Sequence, residues 1–340
     1  MLTSKAAILQ YSNQELLIAE INVPEKLLDR QVLVKISYSS ICGSQIGEIQ
    51  AIKGPDKHLP HLLGHEGVGT VIDVGPEVSR IKVGERVVMH WMKNNEPDAT
   101  NPKYTFRDTP INAGQIATFS EYAIISENRL TGVDIDVEDS KLAFLGCGAL
   151  TAYGVLMNDL KTTLEDNLLI IGAGGIGATT LLMAQALGFD KINITDKNFD
   201  KIKFIEKISN AASLTINKFN EDFTKYTKII DTTGNVNVIE KAYEALGKKG
   251  TLCLVGVTPV GEKISIDPMP LHYGKAIVGS FGGSVYPLED IHKITHLIMT
   301  NRFDPVLLGT STISLNQINE SISLMQMGKI SGKILIKIKQ

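Results

Sequence analysis

Leu168-Leu169-Ile170-Ile171-Gly172-Ala173-Gly174-Gly175-Ile176-Gly177 decides how the rest of this chain is read. Four apolar residues run into a glycine turn, and a helical period starts at about Gly175, so the stretch predicts strand, tight turn and helix. A turn built to receive a dinucleotide needs these glycines: one to turn tightly, one to let the backbone approach a pyrophosphate, one to let the helix pack on the strand. The helix start at Gly175 and Ile176 then offers its N-terminus to negative charge. An acidic residue is expected at the end of the next strand, about 20 residues on. Asp196 follows the β-like run 191–195, 19 residues after Gly177. A carboxylate there accepts hydrogen bonds from an adenosine ribose diol and repels a 2′-phosphate, so NAD(H) is expected over NADP(H).

Outward from this turn, residues 149–283 repeat the strand–helix alternation. Strands are expected at 168–171, 191–195, 228–231, 252–257 and 276–281, with helices at 198–208 and 238–246. That pattern predicts an α/β fold, a doubly wound parallel sheet covered on both faces. Residues 1–148 instead alternate short β-like runs (31–38, 69–74, 86–90, 119–125) with Gly/Pro/Asp turns, and read as a β-rich half. The tail has two helix-like segments, 288–299 and 315–327, and a β-like end at 333–339, and is expected to pack back on the first half. The stretch 167–189 carries no charge over 23 residues, long enough to raise a membrane span, but five glycines divide it into strand, turn and helix.

Composition excludes several classes. The chain has 340 residues, 34 Lys+Arg against 37 Asp+Glu and 43% hydrophobic content, which suits one large or two ordinary globular domains and excludes disorder. The near-neutral charge supplies no basic field for nucleic acid. No membrane partner is expected, and the N-terminus reads as a first strand and not a signal peptide. Three widely spaced cysteines cannot staple a chain of this size and point to a reducing cytoplasm.

Cys42, His65, Glu66 and Cys147 are four potential metal ligands in the β-rich half. Taken singly, each is more readily a small buried hydrophobe or a structural polar residue. No CxxC pair or helical HExxH is present, so the spacing of structural zinc is not met. A catalytic zinc needs only three protein ligands, which distant loops can supply.

Gly64-His65-Glu66-Gly67-Val68-Gly69, followed by Gly75 and Val78, resembles the zinc signature of the zinc-dependent medium-chain alcohol dehydrogenase family. Cys42-Gly43-Ser44 is similar to that family's first-ligand loop, and 146–154 to its second-cysteine segment. The glycine turn and Asp196 follow in the family's order, so the resemblance covers essentially the whole chain. It implies a GroES-like catalytic domain (1–148 and 284–340) and a Rossmann NAD-binding domain (149–283), acting together in hydride transfer between an alcohol and NAD(H).

The resemblance also implies roles. Cys42, His65 and Cys147 would hold a catalytic zinc, with Glu66 as the neighbouring carboxylate that can itself ligate. Ser44 would take the alcohol proton and Trp91 would narrow the substrate pocket. Thr151, Val255 and Val257 would flank the nicotinamide, with Phe281 near its carboxamide. Lys201 would contact the adenosine ribose and Lys333 the pyrophosphate, although both could equally be solvated surface charges. Partners would be a small alcohol or carbonyl, with a polyol or sugar-derived alcohol among the candidates, and a second copy in a homodimer or homotetramer joined at the sheet edge 276–281.

Three departures from the family stand out. No cysteine occurs in 92–115, so one zinc per chain and no structural zinc is expected. Position 45 is Gln where the family usually has Asp, and position 47 is Gly where many relatives place the outer histidine of a proton relay, leaving His58, His61 and His90 as candidates. Two other readings compete: a zinc-free NADPH-dependent enone or quinone reductase, against which the two cysteines, the His-Glu pair and Asp196 argue, and a non-catalytic nucleotide-binding protein.

Overall fold

The computed structural model describes residues 2–209 and 226–338, so residue 339 of the expected terminal strand lies outside them. The chain forms two compact units: Met1–Cys147, Tyr286–Met299 and Gly309–Gln340 make the first, and Gly148–Val285 with Thr300–Leu308 the second.

The first unit is β-rich. A small closed barrel joins Thr3–Leu9, Leu17–Asn22, Lys103–Phe106, Thr109–Asn112 and His61–Leu62. A larger sheet orders Leu130–Gly132, Arg86–Met89, Gly67–Val74, Gln31–Ile41, Lys333–Lys337 and Gly309–Ile313. Gln31–Ile41 is its hub, pairing with Gly67–Val74, Tyr122–Ser126 and Lys333–Lys337. Its alternating residues Val32, Val34 and Ile36 enter one core cluster, and Leu33 on the other face enters a second, which is why both faces are apolar. The terminal strand lies antiparallel to the hub with Ile334 opposite Ile41, so the chain's end returns to the first half as expected.

Some elements differ from the sequence reading. The strand expected at 119–125 runs Tyr122–Ser126, because the Phe119 backbone is already bonded to Ala7 and Leu63 and its ring is buried. The segment Thr300–Leu308, expected with the first half, belongs to the second unit, where the turn Pro305–Leu308 contacts the helix Gly175–Ala186.

Among the described residues the second unit holds a five-stranded parallel sheet in the order Ile192–Thr195, Leu168–Ile171, Lys228–Asp231, Thr251–Leu254, Ala276–Gly279. Leu168–Ile171 lies at the point where the strand order reverses, and all four residues are buried, as a strand covered on both faces requires. Helices Phe199–Ile208 and Val236–Ala245 begin at Asn198 and Asn235, whose side chains accept backbone N–H bonds from Asp200 and Val238. One helical run, Asp139–Asp159, has the length and composition of a membrane span, but 78% of its apolar window is buried within the protein, as in a core helix.

Candidate functional site

Sheet register builds the metal-ligand group. Ser39 pairs with Gly67, which sets Glu66 beside Ser40 and His65 near the end of the hub strand. Cys42 follows Ile41 directly, and caps the short helix Gly43–Ile49. Cys147 arrives on a π-helical turn, Leu145–Ala149, a wider turn that re-aims side chains. Gly146 makes this approach possible: a Cβ there would stand 1.9 Å from the Met89 carbonyl oxygen.

Among the described residues, Cys42, His65 and Cys147 form the one group of ligating atoms, all within 4.8 Å of one another. The two sulfurs are 4.0 Å apart. That is twice a disulfide bond. It matches the ~3.8 Å edge of a tetrahedron with metal–sulfur bonds of about 2.3 Å. Nε2 of His65 is buried with no hydrogen-bond partner, which leaves it available to a cation. Two sulfurs and an imidazole suit a borderline-soft ion, so the donor set fits zinc.

The charges around this group are coupled. The Cys147 thiol facing Cys42 holds the Cys42 thiol well below its ordinary range, against burial, and the Cys147 thiol is pushed correspondingly far up. Burial would strip the proton from His65, but its interaction with Cys42 and the charge of Glu66 outweigh that and raise its affinity.

Glu66 does not join the ligand group. Its Oε1 accepts hydrogen bonds from Ser40 Oγ at 2.5 Å and from Lys333 Nζ, so the metal-ligand assignment gives way to that of a buried counter-charge. Lys333, assigned by resemblance to the pyrophosphate, is no surface charge. It is buried in the same unit, stacked over the Phe144 ring at 5.4 Å. Burial opposes its charge, but Glu66 and the two cysteines hold the ammonium. Gln45 takes the place of the acidic residue expected there: its Oε1 accepts from the Cys42 N–H at 2.9 Å, and its Nε2 contacts His65 Nδ1, so one amide links two ligands.

Ser44 lies exposed in the first turn of Gly43–Ile49. Trp91 donates its backbone N–H to the Gly146 carbonyl at 3.3 Å, one residue from Cys147. His90 is a structural residue, its Nδ1 on the Met92 carbonyl at 2.6 Å and its Nε2 on Thr131 at 3.0 Å.

The second unit carries the nucleotide-type turn. Gly172 adopts φ +102°, and a Cβ on Gly177 would lie 1.8 Å from the Gly172 carbonyl oxygen, so the tight turn and the close helix both require glycine. Gly174 has open space where a Cβ would project. Asp196 spans the turn: one carboxylate oxygen accepts from Ala173 N–H at 2.8 Å, the other from Asn198 N–H at 2.7 Å. Lys201 follows on Phe199–Ile208. Thr151 is buried, its carbonyl close against Gly283, whereas Val257 and Phe281 are exposed and Val255 continues the end of Thr251–Leu254.

A β-rich unit holding a Cys-His-Cys group and a doubly wound unit with a dinucleotide-type turn define a two-domain, zinc-type dehydrogenase. Residues 28–134 match the alcohol dehydrogenase GroES-like domain and residues 175–299 the zinc-binding dehydrogenase domain. The chain belongs to the zinc-type medium-chain alcohol dehydrogenase family. It is 27% identical to S-(hydroxymethyl)glutathione dehydrogenase of Paracoccus denitrificans, over 98% of this chain and 99% of the relative, and 27% identical to the class-3 alcohol dehydrogenase of Cereibacter sphaeroides, with the same coverage. Benzyl alcohol dehydrogenase from Acinetobacter calcoaceticus shares the fold at TM-score 0.87 and 24% identity, with both chains covered fully. 2R,3R-butanediol dehydrogenase from Bacillus subtilis does so at TM-score 0.79 and 22% identity, over 98% of this chain and 99% of that one.

Proposed function

We propose that this oxidoreductase interconverts an alcohol and its aldehyde or ketone, using NAD(H) and one catalytic zinc per chain. The observation that carries the reading is the convergence of Cys42, His65 and Cys147 with His65 Nε2 left unpartnered. Zinc bound there supplies Lewis-acid polarisation of a substrate oxygen.

The chain's own residues do the rest. Gln45 orients His65 through Nδ1, and Glu66 with Lys333 forms a neutralised pair behind the ligands. Ser44 passes the substrate's hydroxyl proton, and Trp91 narrows the substrate pocket. Gly172, Gly174, Gly175, Ile176 and Gly177 take the cofactor's pyrophosphate. Asp196 and Lys201 take the adenosine ribose. Thr151, Val255, Val257 and Phe281 position the nicotinamide. The carboxylate of Asp196 supports NAD over NADP, since a 2′-phosphate would meet like charge. The three free cysteines support a reducing, cytoplasmic location.

The test is a panel of simple alcohols, polyols, sugar-derived alcohols and 2-hydroxy compounds with NAD and with NADP, before and after zinc chelation, alongside metal analysis. Chelator-sensitive NADH formation with at least one alcohol is expected. A fully zinc-loaded protein that oxidises none of them would refute the assignment.

A further inference from the structure

The proton released by alcohol oxidation needs a way out, and the following rests on the alcohol dehydrogenase reading above. Gly47 cannot be replaced by a larger relay residue without displacing its neighbour: a Cβ there would stand 2.7 Å from Cδ1 of Ile52. Glu48 is placed differently. It follows Ser44 by one turn on Gly43–Ile49, which puts the two Cβ atoms about 5–6 Å apart on one helix face. Its side chain is 48% exposed, and its Oε1 lies 3.9 Å from Nε2 of the buried His61.

His61 is clamped from both sides. Its Nδ1 meets the Leu62 carbonyl at 2.9 Å, and its Nε2 lies 2.7 Å from Oδ2 of Asp56. Both ring nitrogens face oxygen atoms, which fixes the ring in place. Asp56 is fixed in turn by the His58 N–H at 2.8 Å. The groups facing Glu48 are His61, His65, Asp56 and Lys53. Desolvation raises the Glu48 carboxyl above its ordinary range and Asp56 adds to it, while His61, His65 and Lys53 pull it down in part. Glu48 is thus a proton acceptor within electrostatic reach of the ligand His65 and open to solvent.

We infer that Glu48 is the proton-relay residue of this chain, with His61, clamped by Asp56 and the Leu62 carbonyl, fixed beside its carboxylate. The step balances. The substrate O–H bond breaks, its proton passes to Ser44 as Ser44 gives its own hydroxyl proton to a Glu48 oxygen, and Glu48 releases that proton to water. The hydride goes to NAD, and nothing else is oxidised or reduced.

The experiment follows alcohol oxidation by the zinc-loaded full chain against pH, at low buffer concentration, with and without added imidazole. Wild type, Glu48→Gln, Glu48→Asp and His61→Gln are compared. Glu48→Gln is expected to lower kcat roughly 100-fold, to lose the acidic limb of the kcat profile, and to regain most of its rate when imidazole is added. Glu48→Asp should keep part of the rate. His61→Gln should move the acidic limb to higher pH, because it removes the His61 interaction that pulls the Glu48 carboxyl down. Carboxyl-carbon NMR, with Glu48 identified by its loss in Glu48→Gln, should show the same upward displacement without turnover. An unchanged acidic limb in Glu48→Gln, or a loss of rate that imidazole does not restore, overturns the relay. A zinc-loaded wild type that oxidises no alcohol defeats the underlying reading and the relay with it, and is told apart by the wild-type rate alone.

Discussion

At Cys147 the fold and the chemistry meet in one side chain. Its sulfur completes the donor group, and its backbone sits in a turn that only Gly146 allows so close to Met89. Cys147→Ala should therefore remove bound zinc and turnover together, with folding retained; metal analysis by mass spectrometry and circular dichroism check this. Asp196 is a different kind of residue, far from any donor atom of that group in the sequence and committed to the glycine turn by two backbone bonds. Asp196→Ala should raise the KM for NAD about 10- to 100-fold, as expected for losing charge-assisted hydrogen bonds of ~1.5–3 kcal/mol. The ratio of kcat/KM for NAD to that for NADP should fall, while the zinc content stays at the wild-type value. Zinc loss in this variant would contradict the separation of the two roles.

At the scale of elements, the legible pieces had strong periodicity. The apolar strand Leu168–Ile171, the glycine turn and the helix Gly175–Ala186 lie where their pattern places them, because each is specified by neighbouring residues. The hairpin Lys103–Phe106 with Thr109–Asn112 was not legible. It turns through Arg107 and Asp108 with φ of 47° and 64°, left-handed positions for which glycine or asparagine would have been the signal. The π-helical turn under Cys147 has no sequence signature either. The strand pair Arg86–Met89 and Leu130–Gly132 buries His90 next to its end, and burial depresses that imidazole to about 4. A histidine kept neutral in the fold but titrating near 6.5 when unfolded costs nothing above that pH and progressively destabilises the fold as pH drops from 6.5 towards 4. The loss should reach about 2 kcal/mol at pH 5 and about 3 kcal/mol at pH 4. Urea unfolding at pH 7 and pH 5 should show this drop in wild type and a smaller drop in His90→Gln. Equal drops in the two proteins would remove His90 from the account.

At the scale of the whole molecule, among the described residues Ala276–Gly279 ends the parallel sheet, bonded to Thr251–Leu254 on one side, and Val260, Met269 and Tyr273 are exposed in the segments around it. An open strand edge flanked by apolar surface is a pairing site, and a second copy of the chain is the expected occupant. Sedimentation velocity at micromolar concentration should give at least twice the 37.0 kDa chain mass, and Val260→Lys with Tyr273→Lys should weaken that association about tenfold or more. A wild-type monomer under those conditions would rule the edge out as a stable interface.

Local residue order alone determined the two-part organisation, the dinucleotide-type turn and the acidic residue after it, since hydrophobic period and turn chemistry act between residues close in the chain. Resemblance added Cys42, His65 and Cys147 as ligands. Only the tertiary structure decided that these three converge while Glu66 turns to Lys333 and Ser40, and that Glu48 stands beside a clamped His61. Those contacts join residues up to 267 positions apart. They arise from strand register and burial, where the cost of an unpaired buried charge selects the partner, and neither is written in any local spacing.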